Sequence, residues 1–215
     1  DLHSTSRRQR QMCIRDSYYT SNVKKYMLRL FLFAIISEIP FNLIMGSSVF
    51  YPFHQNVLWT FLLGVLSIQI IEKAKKKQKK WISFFVVCLV LLMDFLLGTI
   101  TMVDYNAAGI LTVLLFYFFR KKTWISFAAQ LVGLYYLNVV MLGNLYYPVT
   151  ILGHHFEIAQ QSFALLALIP IWLYHGEQGY HSKWFKYFCY AFYPVHLLIL
   201  YLIVYKMGYG SVPAI

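Results

Sequence analysis

Outside its first 17 residues, the chain alternates long apolar runs with short polar breaks. The apolar runs cover roughly 26–45, 56–72, 81–100, 106–119, 124–142, 157–174 and 185–206. A helix that crosses the hydrocarbon core of a bilayer needs about 20 residues, with a range of about 17–25. Five runs fit that length well, run 56–72 lies at its lower limit, and run 106–119 is short. The pattern predicts an all-α bundle of about seven transmembrane helices, because an unpaired strand cannot satisfy its backbone in lipid.

The composition supports a membrane protein. Hydrophobic residues make up 60% of the chain and charged residues 13%, whereas soluble domains contain about 25% charged residues. This argues against a soluble globular domain, and the high hydrophobicity argues against disorder. The net charge of +11 would suggest a nucleic-acid partner for a soluble chain. Here we attribute the charge to basic loops beside a bilayer, so lipid and not nucleic acid is the expected partner.

The basic residues predict the topology. Outside residues 1–17 the chain has fifteen Lys and Arg, and fourteen of them fall on one side of the predicted spans. Only Lys206 falls on the other side. The positive-inside rule makes the basic segments cytoplasmic and the C-terminus external, in a multi-pass protein of the inner (plasma) membrane. We interpret the basic loop 73–80 as a determinant of this topology, in preference to a site for nucleic acid or acidic lipid.

Residues 1–17 differ from the rest of the chain. They are polar and basic, and residues 7–16 match the translation of a transposase sequencing adapter at every position. A solvated basic tail is the alternative, and a targeting peptide is disfavoured because no apolar region follows directly. We therefore expect 1–17 to be non-native and residues 18–215 to form the transmembrane domain.

Ionisable and amide side chains gather at the predicted outer ends of the spans. Asp94 and His196 lie inside predicted spans, where an ionisable group normally faces a partner or a cavity. The others lie nearer the outer boundary and include Glu38, His54, Asn56 and Asp104. Asn56 and Asp104 also suit helix N-caps. Together the residues predict a polar cavity that opens outward, in which a histidine or carboxylate acts as general base. No metal site is predicted, because His154 and His155 are adjacent and lack the spacing of a zinc pair.

These features leave three classes of function open: a membrane enzyme, a proton-coupled transporter or channel, and an assembly protein without catalysis. The transporter would use the same ionisable residues as a proton relay. The sequence shows no internal repeat, which counts mildly against an inverted-repeat transporter.

Six short segments in order resemble the TraX family. They are Lys-Lys-Tyr-Met-Leu-Arg-Leu at 24–30, Ser-Glu-Ile-Pro-Phe-Asn at 37–42, His-Gln-Asn-Val at 54–57, Asp-Tyr at 104–105, Tyr-His-Gly-Glu-Gln-Gly at 174–179 and Tyr-Pro-Val-His-Leu at 193–197. That family includes the conjugation protein that acetylates the N-terminus of F-type pilin. The resemblance implies an integral membrane acyltransferase with acetyl-CoA as the cytoplasmic donor. The acceptor would be an amine or hydroxyl on a pilin-like peptide, an envelope glycan or a small molecule.

For such a reaction we predict roles for nine residues. His196 or His54 would transfer protons, and Glu38 or Asp104 would orient the imidazole. Asn56 or Tyr105 would donate to the oxyanion. Arg29 would bind a phosphate of CoA, as would Arg120 with Lys121.

The resemblance also predicts a difference at the start of the chain. Family members begin with one or two further spans that carry an Asp-His-Ile-Gly-like motif, whose histidine is a strong candidate for the acyl-transfer base. Residues 1–17 replace that region here. The resemblance therefore implies that this chain lacks that histidine and is inactive without it.

Overall fold

The computed structural model describes residues 22–143, 145–151, 154–174 and 182–208. Segment 1–17, the C-terminal residues 209–215 and most of motif 174–179 lie outside these ranges. The first five helices are α1 (Val23–Gly46), α2 (Val57–Lys77), α3 (Lys80–Ile100), α4 (Asn106–Phe118) and α5 (Trp124–Tyr135). A π-helical turn, Tyr136–Val140, extends α5. The chain continues through β1 (Tyr146–Ile151), β2 (His154–Ala159), the 3-10 helix Gln160–Ala167, α6 (Leu168–Leu173) and α7 (Lys183–Lys206).

The predicted all-α membrane fold is confirmed. Among the described residues, four helices are long and apolar enough to cross a bilayer: α1, α2, α3 and the segment Tyr187–Lys206 of α7. Side-chain caps explain where several helices begin. Asn22, Asn56, Thr123 and Ser182 each accept a backbone N–H from the first turn of the helix that follows, which satisfies donors that the helix itself cannot.

The prediction of one continuous helix over 157–174 is wrong. The first residues of that run belong to an antiparallel hairpin in which Tyr146 pairs with Ala159 and Ile151 pairs with His154. An 8-residue 3-10 helix and the 6-residue α6 follow. A lone strand leaves its backbone unsatisfied in lipid, whereas the facing backbone groups of these two strands pair with each other.

Helix α4 occupies the centre of the bundle. It packs against α2, α3 and α5, while α1 packs between α2 and α7. Small residues allow these close approaches. A Cβ on Gly98 would lie 2.7 Å from the Cα of Ala107, and a Cβ on Gly64 would lie 2.7 Å from a methyl of Val113. Because its neighbours enclose it, nine of the thirteen residues of α4 are buried.

Contacts bring cations from several segments to one end of the bundle, which we call the basic end. Lys75 donates to the Tyr117 hydroxyl at 3.3 Å, and Arg120 lies 3.9 Å from Glu72. Lys122 donates to the carbonyl of Tyr174, at the end of α6, at 2.7 Å. The basic loops therefore share one end, as the charge pattern predicts. Which side of the membrane that end faces stays a prediction.

Candidate functional site

The loops α1–α2 and α3–α4 are joined at the end of the bundle opposite the basic end. The N–H of Gln55 donates to the carbonyl of Met102, and the N–H of Asp104 donates to the carbonyl of Gln55, both at 2.9 Å. This short parallel bridge fixes the register of the two loops. It places Nε2 of His54 3.5 Å from Oδ1 of Asp104. A carboxylate beside an imidazole orients the ring, so these two predicted residues form an imidazole–carboxylate pair.

The surroundings of His54 hold its ring in place. Phe41 of α1 stacks on the imidazole with ring centroids 5.7 Å apart and an interplanar angle of 13°. On the other side of the pair, Thr60 donates to the carbonyl of Asp104 at 2.9 Å. The side chains of His54 and Asp104 remain 35% and 22% exposed. The pair is thus fixed by packing yet accessible to a molecule at the surface.

Glu38 forms a second, deeper group with Asn56 and Trp59. Oε2 of Glu38 accepts hydrogen bonds from the Asn56 amide and, at 3.0 Å, from the Trp59 indole. Asn56 also donates to the carbonyl of Ala34 at 2.9 Å and caps α2 through Leu58. Oε1 of Glu38 is buried and has no hydrogen-bond partner among the described residues. Asn56 follows His54 by two residues, so the two groups lie side by side.

Tyr193 of α7, which is not among the predicted site residues, lies beside both groups. Its hydroxyl is near the backbone N–H of Val57 and within electrostatic range of the carboxylates of Asp104 and Glu38. Its ring packs against both the main core and the smaller α1–α7 core. A tyrosine directly before Pro194, in an apolar helix, was the available signal, but spacing along one helix cannot show which loop faces it.

An open cleft of about 470 Å³ adjoins His54. Its lining includes His54, Tyr105, Asn106, Ala107 and Ala108, together with apolar residues from three other segments. Pockets of roughly 300–1,000 Å³ are typical of small-molecule sites. An open cleft therefore adjoins the His54–Asp104 pair, and of the residues predicted to share a cavity His54 lines it; that the cleft opens outward stays a prediction.

The backbone beside the cleft is strained. Met102, Tyr105 and Asn106 have positive φ angles of 49°, 62° and 47°. Few residues other than glycine adopt this region, and such strain tends to concentrate at functional sites. Tyr105 also precedes α4 without supplying a side-chain cap. The first turn of α4, whose N–H groups have no acceptor within the helix, thus begins at the cleft.

The remaining predicted residues lie outside this group. Nδ1 of His196 lies 3.1 Å from the carbonyl of Phe192, and its ring contacts those of Phe192 and Tyr193 in the same helix. His196 thus reaches the group through Tyr193. Arg29 lies nearer the basic end, with its guanidinium 5.8 Å from the ring centre of Tyr190. Its buried Nε has no hydrogen-bond partner among the described residues.

Asp94 is buried elsewhere, between α2 and α3. It accepts a hydrogen bond from Ser67 at 2.7 Å, and only 3% of the residue is exposed. This agrees with the expectation that an ionisable group inside a span faces a partner. No set of three or more metal-ligating side chains occurs within the part of the chain that the structure describes.

Comparison with known proteins gives one match. A family model described as "TraX protein" matches residues 12–204, which is most of the chain. The match begins inside segment 1–17, whose interpretation stays a prediction. No curated protein and no solved structure matches the chain.

Proposed function

From the premise that the chain belongs to the TraX family, we propose that it is an integral membrane acyltransferase. It transfers an acetyl group from cytoplasmic acetyl-CoA to an amine or hydroxyl acceptor at the opposite side of the membrane. The observation that carries the proposal is the His54–Asp104 pair, 3.5 Å apart, at the edge of the cleft.

His54 is the general base. It removes the proton of the acceptor as the nitrogen or oxygen attacks the thioester carbonyl, and a positioned base of this kind contributes roughly 10²–10⁴-fold to a rate. Asp104 stabilises the resulting imidazolium. The new C–N or C–O bond forms as the C–S bond of the donor breaks. The CoA thiolate leaves and takes the proton back from His54, so no oxidant or further reactant is required.

The start of α4 supplies hydrogen-bond donors for the oxyanion that forms on the thioester carbonyl. An oxyanion is stabilised by donors that are fixed before the reaction, and first-turn N–H groups with the positive end of a helix dipole meet that need. Ala107 and Ala108 line the cleft in this turn, and Tyr105 adds a hydroxyl. Both amide protons of Asn56 are already directed at Glu38 and the carbonyl of Ala34. We therefore assign Asn56 to positioning Glu38 instead of binding the oxyanion.

Arg29 suits the donor. Its unpartnered, buried Nε fits an anionic group such as a CoA phosphate. Glu38 follows Arg29 by nine positions in α1, an axial rise of about 14 Å at about 1.5 Å per residue. A phosphate bound at Arg29 would leave the flexible arm of the donor directed along α1 toward the site. Arg120 is already paired with Glu72, which makes Arg29 the better candidate.

The test is acetyl transfer by the full-length protein in inverted membrane vesicles supplied with radiolabelled acetyl-CoA. We expect His54→Ala to lower the rate about 100-fold or more, with unchanged abundance in the membrane. His155→Ala, an exposed position on β2, is the matched control and should retain activity. Wild-type membranes that consume no acetyl-CoA would refute the proposal.

The buried Asp94–Ser67 pair favours a second candidate, a proton-coupled transporter, because an ionisable residue at membrane depth is typical of proton pathways. Vesicles that show a solute-driven pH change abolished by Asp94→Asn, without acetyl transfer, would support that function instead.

A further inference from the structure

The cleft beside His54 lies next to the first turn of α4. Gly98 of α3 packs against Ala107 in that turn, so the end of α3 is level with the start of α4. Beside this turn, a space remains between the end of α3 and the residues that follow α5. Phe95 and Thr99 border this space on one side, and Met141 and Leu142 border it on the other.

This space is continuous with the surface of the bundle that faces lipid. Phe95 is 44% exposed, and it lies inside the apolar span α3 together with Thr99. The cleft therefore reaches below the end of α3, to a depth at which lipid chains surround the protein. His54 and Tyr105 lie at the polar end of the cleft, and most of its other lining residues are apolar.

Resting on the proposed function, we infer that the acceptor is an amphiphile of the adjoining leaflet whose alkyl chain lies in this cleft and whose nucleophilic head reaches His54. The lining favours an alkyl chain, because Phe95, Met141 and Leu142 offer it an apolar surface. A single alkyl chain can enter this open cleft sideways from the bilayer, between α3 and α5.

Chain length and cleft blockage together test this inference. Ethylamine and dodecylamine present the same amine with and without an alkyl chain. Thr99→Trp places a large ring in the cleft, and Ile100→Trp places the same ring one residue along, at a position that is 73% exposed. We expect Thr99→Trp to raise the KM for dodecylamine about tenfold, within the effect of overpacking an apolar site. The KM for ethylamine should change less than about twofold, and Ile100→Trp should change neither value.

The KM of each variant is divided by the wild-type KM for the same amine. Because dodecylamine partitions into the bilayer equally in both measurements, this ratio does not depend on the partitioning. An equal effect of Thr99→Trp on both amines would overturn the inference, as would an equal effect of Ile100→Trp on dodecylamine.

A binding measurement separates this inference from the proposed function. A dodecylamine analogue with a terminal diazirine, photolysed in membranes without acetyl-CoA, should label peptides from 95–108, and Thr99→Trp should reduce that labelling. Labelling of the cleft without any acetyl transfer would support the binding site and refute the acyltransferase. Acetyl transfer to ethylamine alone, with no labelling of 95–108, would support the acyltransferase and refute the alkyl-chain binding site. Loss of labelling on addition of a peptide acceptor that lacks an alkyl chain would identify a peptide as the occupant of the cleft. It would overturn the inference that the acceptor is an amphiphile.

Discussion

Replacing Asn56 by Asp tests whether Glu38 is held by a donor or is merely adjacent to one. Asp caps a helix as well as Asn does, so the hydrogen bond to the Leu58 N–H is retained. The substitution removes the amide protons that serve Glu38 and the carbonyl of Ala34. It also places a second carboxylate against the first.

The expected cost follows from these contacts. A buried acceptor that loses its donor costs about 1–3 kcal/mol. Two like charges about 4 Å apart repel by about 4 kcal/mol at an effective dielectric constant near 20, and protonation of one carboxyl limits that repulsion. We expect Asn56→Asp to lower the free energy of unfolding by about 3–5 kcal/mol.

Glu38→Gln provides the second arm of a double-mutant cycle. The Gln oxygen can still accept from Asn56 and Trp59, and the amide nitrogen replaces Oε1, which accepts no hydrogen bond from the described residues. Glu38→Gln alone should stay within about 1 kcal/mol of wild type, because such isosteric changes remove no partner. Added to Asn56→Asp, it should restore about 2 kcal/mol, within the coupling range of contacting residues.

The assay is unfolding by sodium dodecyl sulfate in mixed micelles, followed by circular dichroism. Asn138 is the control, since it is also a buried Asn whose amide donates to a helix carbonyl, that of Leu134, at 2.9 Å. Glu38→Gln should not rescue Asn138→Asp. If the effects of Asn56→Asp and Glu38→Gln add within about 0.5 kcal/mol, as for independent sites, then Glu38 and Asn56 do not interact and the geometry described for the deeper group is wrong.

Three further outcomes are expected. A cysteine at Ser48 should react with an impermeant maleimide in intact cells and one at Lys76 only after lysis; the opposite result would reverse the predicted topology. Gly98→Ala should destabilise the protein by about 1–3 kcal/mol in the same unfolding assay, because its Cβ would meet the backbone of Ala107, and an unchanged midpoint would contradict this close packing. Tyr193→Phe should lower kcat more than it raises KM, since its hydroxyl is within electrostatic range of the carboxylates and Tyr193 does not line the cleft; an effect on KM alone would place it among the binding residues.

The helices were predictable where the length and hydropathy of one apolar run were sufficient to define them. Apolar runs near 20 residues long gave α1, α2, α3 and α7 to within a few residues, because burial in lipid depends on local composition. The run 157–174 failed because its hydropathy does not reveal pairing. Its first residues pair with β1, Tyr146–Ile151. That strand lies before the run, so a hydropathy window centred on the run contains no information about the pairing.

The site was predictable in its membership more than in its arrangement. Rare ionisable residues in an apolar chain identified His54, Asp104 and Glu38 as candidates, because such residues need partners at membrane depth. Their grouping depends on the loop bridge between Gln55 and Met102, which consists of backbone hydrogen bonds without a side-chain pattern. Tyr193 was missed for the same reason, since its partners belong to other helices.

The shortness of α4 also bears on how the protein is made. A segment of 13 apolar residues is too short to be recognised by the insertion machinery as a span of its own. Helix α3 precedes it by five residues and packs against it through Gly98 and Ala107. We therefore expect the two to enter the membrane as one hairpin, with α3 supplying the hydrophobicity that α4 lacks. Biogenesis then depends on a contact that also shapes the mature protein, and a mutation at Gly98 would reduce the amount of inserted protein before it affected any reaction.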